Sequence, residues 1–88
     1  MNENQKTPQP ITLRSFLFEM MENQRIYVYY AEGNETFVPI IFNKFVEDAV
    51  IELKDRPELD YRVTLFGVGN HGKNFGGVCI DIVIRKGE

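Results

Sequence analysis

Gly67-Val68-Gly69-Asn70-His71-Gly72 is a literal GxGxxG, the spacing with which a tight strand-to-helix turn cradles a dinucleotide pyrophosphate. That chemistry needs a helix directly behind the glycines, whose first amides receive the phosphate. Here the chain runs on through Phe75-Gly76-Gly77 into another β-rich stretch, so no helix dipole is expected. The same residues fall one hydroxyl short of a P-loop. Gly67 is followed by four residues and Gly72-Lys73, but Asn74 stands where a Ser or Thr would ligate magnesium. A kinase-type glycine loop does lie in a hairpin, yet the remaining chain has no room for that fold's lysine, catalytic loop and metal ligands. The glycines are read instead as the tip of a long hairpin that needs positive φ angles.

His71 is the only histidine, with Cys79 and Asp81 on the strand that follows. Structural zinc takes four nitrogen or sulfur ligands, and this chain has too few. Nothing in the spacing brings Cys79 and His71 together as a nucleophile and base. Glu47, Asp48, Glu52, Asp55, Glu58 and Asp60 form an acidic cluster, but Lys44, Lys54 and Arg56 are interspersed, as on an ordinary solvated helix face. The expectation is a non-enzymatic protein with no catalytic residues, no metal site and no cofactor.

These residues must be positioned by a small set of elements. Thr12 is a suitable N-cap, and Leu13, Phe16, Leu17, Met20 and Met21 make the apolar stripe of a helix that Asn23 can stop. Arg25 to Ala31 alternates and is rich in aromatic and β-branched residues, as a strand should be. A turn at Glu32 to Glu35 leads to a returning strand, Thr36 to Phe42, which Pro39 assigns to an edge or a bulge. Asn43 to Arg56 reads as a second helix capped by Asn43 and ended by Pro57. Tyr61 to Val68 and Val78 to Arg85 are the last two strands, joined by the glycine-rich hairpin. The expected fold is α+β in the order α-β-β-α-β-β, with an antiparallel four-stranded sheet and the helices mainly on one face. Residues 1–10 are expected to be a disordered tail, and 11–88 a single domain.

A period of two then sorts side chains by face. Ile26, Val28, Tyr30, Val63, Leu65, Val78, Ile80, Ile82 and Ile84 should meet the helices. The other face would carry Arg25, Tyr27, Tyr29, Arg62, Thr64, Phe66, Cys79, Asp81, Val83 and Arg85, a mixture suited to neither solvent nor core. Tyr27, Tyr29, Arg62 and Phe66 are the expected binding residues there, with Asn70, His71, Lys73 and Phe75 of the hairpin tip as a second surface. Tyr, Phe and Arg are enriched where proteins meet, so the expected partner is a protein, either a host protein or the chain's own copy. The alternative is single-stranded nucleic acid, its bases stacked on the aromatics and its phosphates held by the arginines. A division of the helices between the two faces would leave neither surface open.

The totals bound the class of protein and favour neither partner. Eighty-eight residues fit one domain of modest core, and 43% hydrophobic content is normal for a folded chain. A net charge of −3 is too mild to steer the chain toward nucleic acid. One cysteine permits no internal disulfide, which suits a reducing compartment, and no stretch resembles a signal peptide or a membrane span. The expected location is cytoplasmic, with no membrane partner.

Thr12-Leu13-Arg14-Ser15-Phe16-Leu17, Arg25-Ile26-Tyr27-Val28-Tyr29 and Leu59-Asp60-Tyr61-Arg62-Val63 together resemble a loose pattern found in small uncharacterised proteins of bacterial mobile elements and phages. The outline covers roughly two thirds of the chain, and the long glycine-rich final hairpin departs from it. No functional residue carries over. The resemblance implies an accessory protein that works by binding another macromolecule.

Overall fold

A computed structural model describes residues 11–69 and 78–86. The first helix, α1 (Leu13–Phe18), begins where the sequence places it, with the Ser15 amide donating to Thr12 Oγ1 at 3.1 Å. It is a turn and a half long and stops at Glu19, so Asn23 does not serve as its left-handed stop. Leu13 and Leu17 are buried, Phe16 and Met20 lie at the core margin, and Met21 is exposed.

Strands β1 (Arg25–Ala31) and β2 (Phe37–Phe45) form an antiparallel hairpin. β2 runs three residues further than its sequence pattern suggests, and α2 (Val46–Leu53) is correspondingly shorter. Asn43 is therefore a strand residue at φ 54° and not a helix cap. Two loop carbonyls serve in place of a side-chain cap. The Val46 amide donates to Gln24 O at 2.9 Å and the Glu47 amide to Glu22 O at 3.2 Å. A short 3-10 turn (Pro57–Asp60), not anticipated in the element order, precedes β3 (Arg62–Gly69) and β4 (Cys79–Arg85). The expected glycine-rich hairpin tip falls outside the described residues.

The sheet order is β2-β1-β4-β3, and it is mixed. β1–β2 and β3–β4 are antiparallel, but the central pair β1–β4 is parallel, in register from Arg25↔Cys79 to Tyr30↔Ile84. This corrects the expectation of a wholly antiparallel sheet. The cause is the connection between the hairpins: α2 and the 3-10 turn carry the chain from the end of β2 back to the end where β2 began. A returning crossover of this kind makes the next strand parallel to the last. β3 therefore runs with β2 on opposite edges, and β4 returns beside β1.

Both helices cover one face. Leu13, Leu17, Val46, Ala49 and Leu53 pack with Ile26, Val28, Ile41, Ile82 and Ile84, and Leu59 of the 3-10 turn joins the same core. Full burial of each such side chain contributes roughly 1.5–3 kcal/mol against exposure. Surface ion pairs add little. Arg14–Asp60, for example, spans 3.1 Å between two side chains that are mostly in water.

The period-two assignment fails on β3. A register shift between Val63 and Leu65 inserts Thr64 as an extra residue, so that Val63 opposes Ile84, Leu65 opposes Val83 and Phe66 opposes Ile82. Phe66 therefore lies on the helix side, its ring 4.8 Å from that of Phe16, and Leu65 turns to the other face. Both were expected the other way round. Val78, expected among the core residues, precedes β4 and is exposed. Among the described residues no helix is long and apolar enough to cross a membrane.

Candidate functional site

The sheet face away from the helices is built from alternate residues of all four strands. β1 contributes Arg25, Tyr27, Tyr29 and Ala31, and the parallel register sets Cys79, Asp81 and Val83 of β4 beside the first three. β3 adds Arg62, Leu65, Gly67 and Gly69 through its register with β4.

At one end Arg25 is fully engaged. Its guanidinium lies 4.5 Å from the centroid of the Phe45 ring, and its Nη1 donates to Asn43 Oδ1 at 3.4 Å. Buried Cys79 places Sγ 4.0 Å from the same Asn43 oxygen. The positive φ of Asn43 and the bulged register of β2 bring this amide over the sheet end.

The centre is aromatic. Tyr27 and Tyr29 stack with centroids 6.3 Å apart, and Phe42 meets Tyr27 edge-on at 5.0 Å. Although no helix covers it, Tyr27 is only 2% exposed, whereas Phe42 is 66% exposed. Burial pushes the Tyr27 phenol above the usual 10.0, with Cys79 and Asp81 adding to the rise and Arg25 opposing it. Burial, followed by Asp81 and Tyr27, likewise raises Tyr29. A phenol whose folded-state pKa is raised stabilises the fold as the neutral form. That contribution is complete below about pH 10 and disappears as pH rises through the raised value. Thermal melts of the native chain should thus lose stability at alkaline pH, and Tyr29→Phe should make that loss shallower. An unchanged alkaline slope in the variant would contradict the placement of Tyr29.

Beside the stack lies a shallow groove of about 340 Å³, lined by Tyr29, Phe37, Leu65, Asp81 and Val83. Phe37 is 51% exposed and Leu65 65%, so the groove presents apolar side chains directly to water. At the far end of the face Arg62 opposes Arg85 across the strands. Arg85 donates from Nη2 to Gly33 O at 2.7 Å, and a cleft of about 410 Å³ lies between the β1–β2 turn and Arg62, Arg85 and Lys86.

Of the binding residues read from the sequence, Tyr29 and Arg62 lie on this face with exposed surface. Tyr27 lies there too but is buried, and Phe66 is on the helix side. Asn70, His71, Lys73 and Phe75 lie outside the described residues. Phe37, Phe42 and Leu65 were missed. Phe37 and Phe42 are five residues apart, so strict alternation puts them on opposite faces, and the bulges of β2 bring them to the same one. The signal for that irregularity was Pro39, which marks a strand that cannot keep a regular ladder.

Among the described residues no three His, Cys, Asp or Glu side chains converge so as to hold a metal ion. Members of the acidic cluster pair with local bases: Glu52 with Lys44 at 3.4 Å, and Glu58 with Arg56 through two bonds of 3.1 Å. The Arg56 hydrogen bonds hold the Glu58 carboxyl below its usual range, against the opposing effect of burial. No protein-family model matches the chain, and no curated protein or solved structure matches it either.

Proposed function

We propose that this chain is a non-enzymatic interaction module whose helix-free sheet face docks a protein partner. The observation that carries this reading is exposed Phe37 and Leu65 lining the Tyr29–Val83 groove, with exposed Phe42 against neighbouring Tyr27, on a sheet face that neither helix covers. Large exposed apolar side chains grouped on one surface are characteristic of contact sites. Tyr29 and Asp81 supply polar groups in the groove, and Arg62 supplies charge at the rim, the anatomy of a protein interface. An accessory protein of a phage or mobile element, acting on a host protein, fits the sequence outline.

Single-stranded nucleic acid is the weaker reading. A stacking platform needs exposed rings beside free cations. Tyr27 is buried, Phe66 faces the helices, and Arg25 is held by Phe45 and Asn43.

The test uses a photo-crosslinking phenylalanine analogue at position 37, with the same analogue at exposed Ile51 of α2 as control. Position 37 should yield discrete protein adducts in the host that position 51 does not. Phe42→Ser should remove them while the chain stays folded, its stability lowered only by the lost edge contact with Tyr27, about 0.5–1.5 kcal/mol. Equal labelling from both positions would refute docking on this face, and adducts to oligonucleotide in place of protein would favour the other reading.

A further inference from the structure

The two edges of the sheet are built differently. β2 carries Pro39 and two register irregularities against β1, devices that keep an edge from pairing with another strand. β3 has one such irregularity, at Thr64, and beyond it neither a proline nor a charge from Leu65 to Gly69. Its start is occupied: the Val63 amide donates to Ile11 O at 2.7 Å, and the Leu13 amide to Tyr61 O at 2.8 Å. Beyond that point nothing among the described residues pairs with the outer side of β3, and Leu65, Phe66 and Val68 are 65%, 59% and 75% exposed.

Nothing among the described residues explains Gly67. Its φ is not in the left-handed region, and a Cβ built on it would meet nothing within 4 Å. A glycine inside a strand weakens it unless another backbone or ligand must approach closely. We propose that the outer edge of β3 pairs antiparallel with β3 of a second copy, about a two-fold axis through Gly67.

Residues opposite one another in an antiparallel pair share a face, so this axis sets Phe66 against the partner's Val68 on the helix side. Leu65 then lies opposite the partner's Gly69 on the other face, and the two Gly67 residues meet at the axis, where any side chain would meet its own copy. The paired strip starts beyond the residues already bonded to Ile11 and Leu13. A second copy also fits better than the chain's own residues 1–10, Met-Asn-Glu-Asn-Gln-Lys-Thr-Pro-Gln-Pro, which contain one large apolar side chain and cannot cover three. The outcome is a continuous eight-stranded sheet with all four helices on one side. This pairing does not depend on the docking face proposed above.

Sedimentation equilibrium of the full chain over a concentration series should show mass rising to twice that of one chain. Amide exchange at Leu65 to Gly69 should slow as concentration rises. Val68→Lys and Gly67→Asp each place a charge in the uncharged strip and should weaken association about tenfold or more, with the circular dichroism spectrum unchanged. Phe42→Ser, on the helix-free face, should leave the dimer intact, so the docking reading can fail without this one failing. A chain that stays monomeric throughout would overturn the proposal, as would a dimer insensitive to both charged variants. Concentration-independent protection of the β3 amides in a monomer would likewise overturn it.

Discussion

Ile82→Ala is expected to lower the unfolding free energy by about 2–5 kcal/mol. Ile82 has no exposed surface and sits in the second of the two central strands, opposite Val28 on one side and Phe66 on the other. Removing its outer carbons leaves a cavity under both helices, where Leu13, Leu17 and Leu53 are held by the sheet and cannot simply collapse inward. A chain of 88 residues has a total stability on the order of 5–10 kcal/mol, so one such cavity removes a large part of it. The next residue supplies the control. Val83 is only half-buried, on the opposite face, and Val83→Ala should cost about 1 kcal/mol. Chemical denaturation of both variants checks the assignment of faces as well as the magnitude. Equal losses would mean that the two sides of β4 are equally packed, against the arrangement described here.

The second large effect is expected at Gly69. A Cβ there would lie 2.5 to 2.6 Å from the carboxyl atoms of Asp81, which lies across the glycine on the helix-free face. Asp has a short side chain, so Gly69→Ala must swing the carboxylate aside or shift the end of β3, at a cost of about 1–3 kcal/mol. The variant carries an electrostatic signature too. Asp81 helps to raise the Tyr27 and Tyr29 phenols, so moving its charge away should let both ionise at lower pH. Asp81→Asn should reproduce the tyrosine change without the steric loss. Spectrophotometric titration of the tyrosines, combined with thermal melts, separates the two. A Gly69→Ala chain as stable as the native one, with unshifted tyrosines, would show that the carboxylate does not rest over this glycine.

Local chemistry was enough to place two helices and four strands in order, but not their ends and not the 3-10 turn. The Thr12 cap and the Leu13–Leu17 spacing announce α1, because the cap bond and the buried stripe involve residues within two turns of one another. The alternation of Ile26, Val28, Ile80, Ile82 and Ile84 likewise announces two half-buried strands, and Pro39 correctly marks an edge. The parallel pairing of β1 with β4 is another matter. It depends on where α2 and the 3-10 turn deliver the chain, a property of path and not of any one segment. The membership of the candidate site was decided at the same level. One extra residue, Thr64, exchanges Leu65 and Phe66 between faces, and the bulges of β2 bring Phe37 and Phe42 together. A bulge leaves little trace in a sequence, because its cost and its benefit both lie in the neighbouring strand. Hence the sequence by itself determined the strands and helices and their apolar content, while only tertiary pairing decided which aromatic rings face water.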